Sequence, residues 1–328
     1  MEGSSPLNAE HNPLAGAHGP VVVPSLMALG AGVVWSLGAL AARLADQADA
    51  WQYLLWRSLA ILVVIEMLAR TRRGALGSVV GSGIRRAYTS GPTMVAASAC
   101  LATASIGFIY ALKNTTAANA AFLASLAPLL AALLARVVLG ERINTVTVVA
   151  VATALGGLAF MVNGELGVGN LKGNLAAVAT AFGFAGYAVC LRSNPAVDWS
   201  PALPGSSSMA IPLVGFVCVT SGTPLFPPAA DIALAALHGG GLIVIGMLIF
   251  NAATRHLSAV AAIVFAQTET VFVPVWVFLW YAERPKNSTL IGGAIILGAV
   301  VGKALVDARL AKSGPASSAL AFRFRRKA

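Results

Sequence analysis

The chain carries little charge and little histidine for its length. Of its 328 residues only 10% are Asp, Glu, Lys or Arg, and it has 12 acidic residues and four histidines. It contains no HExxH zinc pair, no GxSxG nucleophile elbow and no Walker A loop. A membrane enzyme needs a cluster of acids, bases or metal ligands, and most such residues lie outside the apolar stretches described below. We therefore expect neither an enzyme nor a bound metal or cofactor.

Three other kinds of motif are absent as well. Cys100, Cys190 and Cys218 all lie in apolar stretches, and their spacing gives neither a disulfide framework nor a CxxC metal motif. No ring of like charges or carbonyl-rich filter is visible, which argues against a channel. The first 23 residues lack the basic segment of a cleavable signal peptide, so we expect residues 1–23 to form a disordered cytoplasmic leader.

What the chain has in abundance is apolar residues in long runs. Hydrophobic residues make up 58% of it, and its mean hydropathy is +0.80. Each run is close to the roughly 20 residues that a helix needs to cross hydrocarbon, and none alternates as barrel strands do. We therefore predict an all-α membrane protein with ten transmembrane helices. The predicted spans are 24–45, 50–70, 93–112, 117–139, 143–162, 171–191, 203–220, 231–254, 257–281 and 288–306.

Basic residues predict the orientation, because cytoplasmic loops retain Lys and Arg. Ten spans place both termini on one side of the membrane. All but six of the 22 basic residues then lie on that side, the six being Arg43, Arg57, Lys113, Lys172, Arg284 and Lys286. We predict cytoplasmic termini in a bacterial inner membrane. The basic tail, residues 309–328, is expected to rest on anionic lipid in preference to nucleic acid.

The two halves of the chain repeat each other. Glu141-Arg142 matches Glu283-Arg284 at an offset of 142 residues. Without any gap, the same offset also aligns Phe108 with Phe250, Ala117 with Ala259, Thr147 with Thr289 and Gly156 with Gly298. Residues 24–163 and 170–308 are therefore predicted to be two five-helix repeats. Because five is odd, the second repeat is inverted in the membrane, an arrangement typical of secondary transporters whose halves move around a central site.

Several features together resemble the EamA-type members of the drug/metabolite transporter superfamily. They are the five-plus-five arrangement, Trp35-Ser36 in the first span, Arg57 early in the second, and the sequence Leu-Gly-Glu-Arg at 139–142 after the fourth. The resemblance covers roughly residues 26–306. It implies a ten-helix transporter whose central cavity opens alternately to each side, commonly to export amino acids or other small metabolites.

Glu269 is the strongest candidate functional residue. It lies about 12 residues into the ninth span, near the bilayer midplane, where an ionised carboxylate is costly unless it is paired, solvated by a cavity or protonated. We predict that Glu269 couples transport to protons by exchanging one as the cavity opens to each side. The alternative is a neutral, structural Glu that is hydrogen-bonded to a neighbouring helix.

Helical spacing leaves two candidate faces for the cavity. On the ninth span Glu269 shares a face with Trp276, and Gln267 lies about 200° away. Gln267 is the repeat equivalent of Ser125 in the fourth span. If both repeats present equivalent faces to the cavity, the lining is Asn119, Phe122, Ser125 and Gln267, and Glu269 faces another helix. Both faces are kept as predicted sites.

Four more residues complete the prediction of substrate contacts, besides Trp276. Arg57 lies some seven residues inside the second span, where it either extends toward the outer headgroups or attracts a carboxylate-bearing substrate. Trp35, Tyr187 and Asn251 are suited to stack on a solute or hydrogen-bond with it, although an aromatic residue on a membrane helix is more often a packing residue. His238, which precedes three glycines, is interpreted as a packed histidine.

These features together predict a secondary transporter and favour export of a small organic metabolite such as an amino acid. The scarcity of charge in the spans favours a neutral, zwitterionic or aromatic solute. The expected partners are that solute and membrane lipid, without nucleic acid, and the oligomeric state is left open. The alternative is a membrane protein without transport activity, such as a sensor or a structural protein.

Overall fold

The computed structural model of the chain describes residues 22–70, 83–140, 143, 145–163, 171–194, 197–254, 268–282 and 284–313. In these residues the chain is helical and forms no strand, which confirms the predicted all-α class. The helices are α1 Val22–Leu44, α2 Ala50–Arg70, α3 Ile84–Thr89, α4 Pro92–Asn114, α5 Ala117–Ala124, α6 Ala127–Val138, α7 Thr145–Asn163, α8 Leu171–Ser193, α9 Ala202–Thr220, α10 Ala229–Ala236, a π-helix Leu237–Ile243, α11 Val244–Thr254, α12 Thr268–Tyr281 and α13 Asn287–Ser313.

The helices fit an integral membrane protein. In the described residues, eight helical stretches are long and apolar enough to cross a membrane, and Thr145–Phe160 is apolar but shorter. The ninth predicted span is described only as α12. The predicted leader lies almost wholly outside the described residues, as does most of the predicted tail, although α13 continues to Ser313.

The fourth predicted span is interrupted in its middle. Helix α5 ends at Ala124, and α6 begins at Ala127 with Pro128 in its first turn. Proline has no backbone N–H, and its ring conflicts with the carbonyl four residues earlier, so Pro128 favours a break or kink at this point. The Ser125 hydroxyl donates to the Phe122 carbonyl over 2.7 Å. Pro128 has no proline counterpart in the other half, where Thr270 stands at the equivalent position.

The eighth predicted span contains a π-helix that the sequence analysis did not predict. Residues 237–243 read Leu-His-Gly-Gly-Gly-Leu-Ile and widen the helix between α10 and α11. Three consecutive glycines weaken the preference for the α-helix. Single π turns inside α-helices are often found at functional sites.

The helices pack mainly across the two halves of the chain. Helix α1 packs against α11 and α12, and its repeat equivalent, α8, packs against α4, α5 and α6. Helix α2 packs against α9 and the π-helix, and its equivalent, α9, packs against α2 and α4. Helix α7 packs against its own equivalent, α13. Exchanging the halves leaves this pattern almost unchanged, which fits the predicted inverted repeat.

Small residues let helices of opposite halves approach closely, as is common between membrane helices. A Cβ atom added at Gly183 of α8 would lie 2.5 Å from the backbone nitrogen of Ala104 in α4. One added at Gly157 of α7 would lie 2.8 Å from the carbonyl oxygen of Gly292 in α13. These two contacts hold the halves together by close backbone packing.

Candidate transport site

Arg57 lies in the interior of the helix bundle. Its side chain is 5% exposed, so it does not extend to the surface as one sequence-based interpretation suggested. Its Nη1 atom donates a hydrogen bond of 2.6 Å to the hydroxyl of Ser105 in α4. Its Nε atom is buried and has no hydrogen-bond partner among the described residues. A buried donor without a partner is costly, so this edge of the guanidinium is suited to receive an anionic ligand.

Glu269 of α12 lies near enough to Arg57 for the two charges to interact. No direct ion pair joins them within the described part of the chain. Glu269 is half-buried, so part of its surface stays accessible. Its carboxylate offsets part of the Arg57 charge without occupying the unbonded Nε edge.

The face of α12 that carries Glu269 points toward the first half of the chain. Trp276 lies two turns after Glu269, and its indole Nε1 donates to the hydroxyl of Ser36 in α1 over 2.8 Å. The ring of Phe272, which lies between them on the same face, is 5.7 Å from the Trp276 ring. Glu269 thus lies on a face of α12 that contacts α1. The competing candidate, Gln267, lies outside the described residues.

Trp35 of α1 contacts the second half of the chain. Its indole Nε1 donates to the carbonyl oxygen of Ile243 over 3.4 Å, and its ring lies 5.3 Å from that of Phe250. The ring packs directly on Gly246, where an added Cβ would overlap it. Trp35 and Ser36 therefore join α1 to two different helices of the second half.

Tyr53 and His238 form a buried pair that the sequence analysis did not connect. The Tyr53 hydroxyl and the His238 Nδ1 atom are 3.0 Å apart, and the side chains are 0% and 3% exposed. Tyr53 lies one turn before Arg57 on α2, and the charge of Arg57 acts on both members of the pair. The four-residue spacing of Tyr53 and Arg57 is the one sequence feature that could have linked them.

Asn119 lies in a buried polar cluster at one end of the bundle. Its Oδ1 atom accepts a hydrogen bond of 3.1 Å from the hydroxyl of Thr289 in α13. Its Nδ2 atom donates over 3.4 Å to the Thr115 hydroxyl and over the same distance to Oδ1 of Asn174 in α8. The amide of Asn119 is therefore engaged with three helices or turns of the protein itself.

The remaining predicted site residues lie in other surroundings. Phe122 is buried against Gly293 of α13, and the Ser125 hydroxyl is bonded to the backbone of its own helix. Tyr187 of α8 packs against the buried residues Met94, Ala97 and Ala202. Asn251 lies in α11, and its side chain is outside the described part of the structure. The structure thus places Glu269 within electrostatic reach of Arg57, and it places Trp35 and Trp276 where α1 meets α11, α12 and the π-helix.

No metal centre is apparent in this region. Across the described ranges, no three His, Cys, Asp or Glu residues are grouped as metal ligation requires. The chemistry that this region offers is that of a buried cation with an unbonded donor and a nearby carboxylate.

Comparisons with known proteins identify the fold and the family. The sequence model of the EamA-like transporter family matches residues 23–163 and 171–303, once in each half of the chain. A solved structure, titled only as the crystal structure of a protein, has a TM-score of 0.58 and 20% sequence identity, and the alignment covers 87% of this chain and 98% of that one. At that identity the likeness shows a shared fold alone. A search of curated proteins found no match.

Proposed function

The chain belongs to the EamA-like transporter family, and we propose that it is a secondary transporter that moves a small organic metabolite by alternating access between two inverted halves. In this proposal ten helices cross a bacterial inner membrane with both termini in the cytoplasm, and the direction of transport is export. The packing of each helix against the opposite half supports a mechanism in which the halves move relative to each other.

The observation that carries the proposal is the free edge of Arg57. A buried guanidinium with an unbonded Nε atom binds a carboxylate in a geometry that no single ammonium group can match. Trp35 and Trp276 stand on neighbouring elements and supply aromatic surface for the body of the solute. We infer that the transported solute carries a carboxylate, as an amino acid does.

Glu269 is proposed to couple this binding to protons. Its carboxylate and the carboxylate of the solute compete for the positive charge of Arg57. Protonation of Glu269 removes the competitor and favours binding of the solute, and release of the proton favours release of the solute. Six other residues remain proposed contacts for the solute, as the sequence predicted: Asn119, Phe122, Ser125, Tyr187, Asn251 and Gln267.

Transport by movement of the halves is tested with a crosslink at the predicted outer end. The backbone N–H of Ala48, in the α1–α2 loop, donates to Oδ2 of Asp231 in α10 over 2.6 Å. Proteoliposomes loaded with mixed amino acids and small carboxylates are used to measure efflux from the double variant Ala48→Cys and Asp231→Cys. We expect a disulfide to stop efflux and a reductant to restore it. Efflux that continues in the fully crosslinked protein would mean that this end does not open.

The proposed orientation is tested separately by labelling in intact cells. Asp46 is exposed in the α1–α2 loop, and Gly81 lies between α2 and α3 on the opposite side of the predicted second span. A membrane-impermeant maleimide should label Asp46→Cys and leave Gly81→Cys unlabelled. Labelling of Gly81→Cys alone would reverse the proposed topology.

A further inference from the structure

The polar site around Arg57 extends to His238, which the proposed mechanism does not use. The π-helix carries His238 into the bundle, and its imidazole meets Gly38 of α1 so closely that a Cβ there would overlap the Nε2 atom. The next residue, Gly239, packs directly on the backbone carbonyl of Arg57, where an added Cβ would again overlap. The π-helix is therefore seated on α2 at Arg57 itself.

The surroundings of the imidazole contain few titratable or charged groups in the described residues. Helix α2 contributes Tyr53, which is hydrogen-bonded to Nδ1, and Arg57, whose charge acts on the ring. At the imidazole, helix α1 presents Gly38, which has no side chain. The carboxylate of Asp231 in α10 interacts electrostatically with Tyr53. Two further groups lie one step away from the imidazole: the ammonium of Lys113 in α4, which is 5.4 Å from the centre of the Tyr53 ring, and Glu269 of α12, which acts on Arg57.

The Tyr53–His238 hydrogen bond is compatible with both protonation states of the imidazole. When the ring is neutral, Nδ1 accepts a hydrogen bond from the Tyr53 hydroxyl, and Nε2 carries the ring proton. When a proton is added at Nδ1, the same nitrogen donates to the oxygen of Tyr53, because a hydroxyl group both donates and accepts. The pair thus takes up and releases a proton without losing its hydrogen bond.

We propose that His238 is a second proton-exchanging residue of the transport site, linked to the binding of a carboxylate at Arg57. The inference rests on the proposed function, since it concerns the same site. The positive charge of Arg57 opposes a proton on His238, and a carboxylate bound at Arg57 offsets that charge. Once present, the proton adds a second positive charge and strengthens the attraction for the carboxylate in this water-poor surrounding. By linkage, a carboxylate bound at Arg57 favours uptake of a proton by His238 to the same extent.

His238 and Glu269 act on the bound carboxylate in different ways. Glu269 competes with it for Arg57, so removal of Glu269 by substitution leaves binding strong at every pH. His238 adds an attraction, so its removal weakens binding at the lower pH values and leaves binding at higher pH little changed. The two substitutions therefore have opposite effects on affinity, which separates the two roles.

The test uses benzoate, a carboxylate with an aromatic body that stays ionised near neutral pH. Purified full-length protein in detergent is titrated with benzoate in weak buffer, and a pH-indicator dye reports the protons taken up for each benzoate bound. We expect proton uptake in the wild type, a clear loss in His238→Gln with weaker binding at low pH, and unchanged uptake in His18→Gln, the control histidine. In Glu269→Gln we expect part of the uptake to remain. Uptake in His238→Gln equal to that of the wild type would overturn the proposal, as would the absence of benzoate-linked uptake in the wild type.

Two further measurements keep the test decisive. If His238→Gln does not fold, nitrogen NMR of the His238 imidazole in the wild type, with and without benzoate, reports its protonation directly, and an unchanged state contradicts the proposal. Tyr53→Phe keeps the imidazole and removes its hydrogen bond, so we expect uptake at a shifted pH. Benzoate-linked uptake at His238 without any efflux from proteoliposomes would refute the transport function and leave the linkage intact.

Discussion

Two equivalent contacts between the halves differ in the groups that pack against their glycines. Helix α8 meets α4 through glycines, and an added Cβ at Gly183 would be 2.5 Å from the nitrogen of Ala104 and 2.7 Å from the carbonyl oxygen of Cys100. Its equivalent contact, between α1 and the eighth span, also has glycines, but large side chains fill the space beside them. Gly38 meets the His238 ring, and Gly246 meets the Trp35 ring.

The difference shows how equivalent contacts in a duplicated fold come to differ, one being polar and the other closely packed. Glycine against backbone gives a close contact that leaves no room for side chains. Glycine packed against an indole or imidazole ring also gives a close contact between helices, but the ring brings polar atoms into the interior. In this chain Trp35 and His238 therefore lie at the second contact, and His238 lies near Arg57 of α2, whereas the first contact is lined by small residues.

The largest expected effect comes from removing the charge of Arg57, next to the polar contact. Arg57→Gln keeps hydrogen-bonding capacity but removes the charge, and loss of one member of a buried charged contact costs about 2–5 kcal/mol. We expect benzoate affinity to fall at least tenfold. Isothermal titration measures it, and Arg85→Gln, an exposed arginine of α3, is the matched control. Equal affinity in the two variants would place the carboxylate site elsewhere.

The packed side of the comparison should respond in stability. Gly183→Ala forces a methyl group against the backbone of α4, and overpacking of this kind costs about 1–3 kcal/mol. We expect a lower midpoint of thermal unfolding in detergent. Gly156→Ala of α7 has nothing within 4 Å of the added Cβ and should keep the wild-type midpoint. A loss of the same size at both positions would show that the α4–α8 contact is not specially close.

Glu269→Gln sharpens the comparison by removing ionisation while keeping shape and hydrogen-bonding capacity. Because a titrating carboxyl makes solute binding depend on pH, the variant should lose a severalfold change in efflux between acidic and alkaline conditions and remain folded. Efflux is measured from proteoliposomes over a series of pH values. If the pH dependence is unchanged, Glu269 has a structural role and the coupling residue lies elsewhere.

The smallest expected effect concerns the bond between α1 and α12. Trp276→Phe removes the donor that reaches the Ser36 hydroxyl over 2.8 Å, and the loss of such a hydrogen bond costs about 1 kcal/mol. We expect a slightly lower thermal midpoint. Ser36→Ala should give the same decrease, and the double variant no further one. Additive decreases would show that the two side chains act independently.

Much of the fold could be predicted because it depends on short stretches of sequence. The predicted second span and α2 have the same bounds, 50–70, since a run of apolar residues between polar breaks marks a membrane helix directly. The π-helix escaped prediction because its signal, three glycines beside His238, is also consistent with ordinary close packing. The break after Ala124 was not predicted either, because the fourth span is predicted as one helix over 117–139, although Pro128 disfavours continuation of a helix for a local reason.

The candidate site was only partly predictable. Arg57, Glu269, Trp35 and Trp276 stood out because polar or aromatic residues in apolar helices are conspicuous. Tyr53 gave no such signal on its own, and its bond to His238 joins residues 185 positions apart. Asn119 was chosen by assuming that both repeats present equivalent faces, and its amide is instead bonded to Thr289 and Asn174.

The sequence by itself determined that this is an all-α membrane protein with two repeats of the EamA type, because hydropathy, helical period and the 142-residue offset are all read along one chain. Only the tertiary structure decided which side chains meet. Packing within the first half brings Arg57 to Ser105, packing between the halves brings it near Glu269, and a π-helix turns His238 toward Tyr53. Such meetings depend on the relative rotation and depth of separate helices, and no spacing within one helix encodes them.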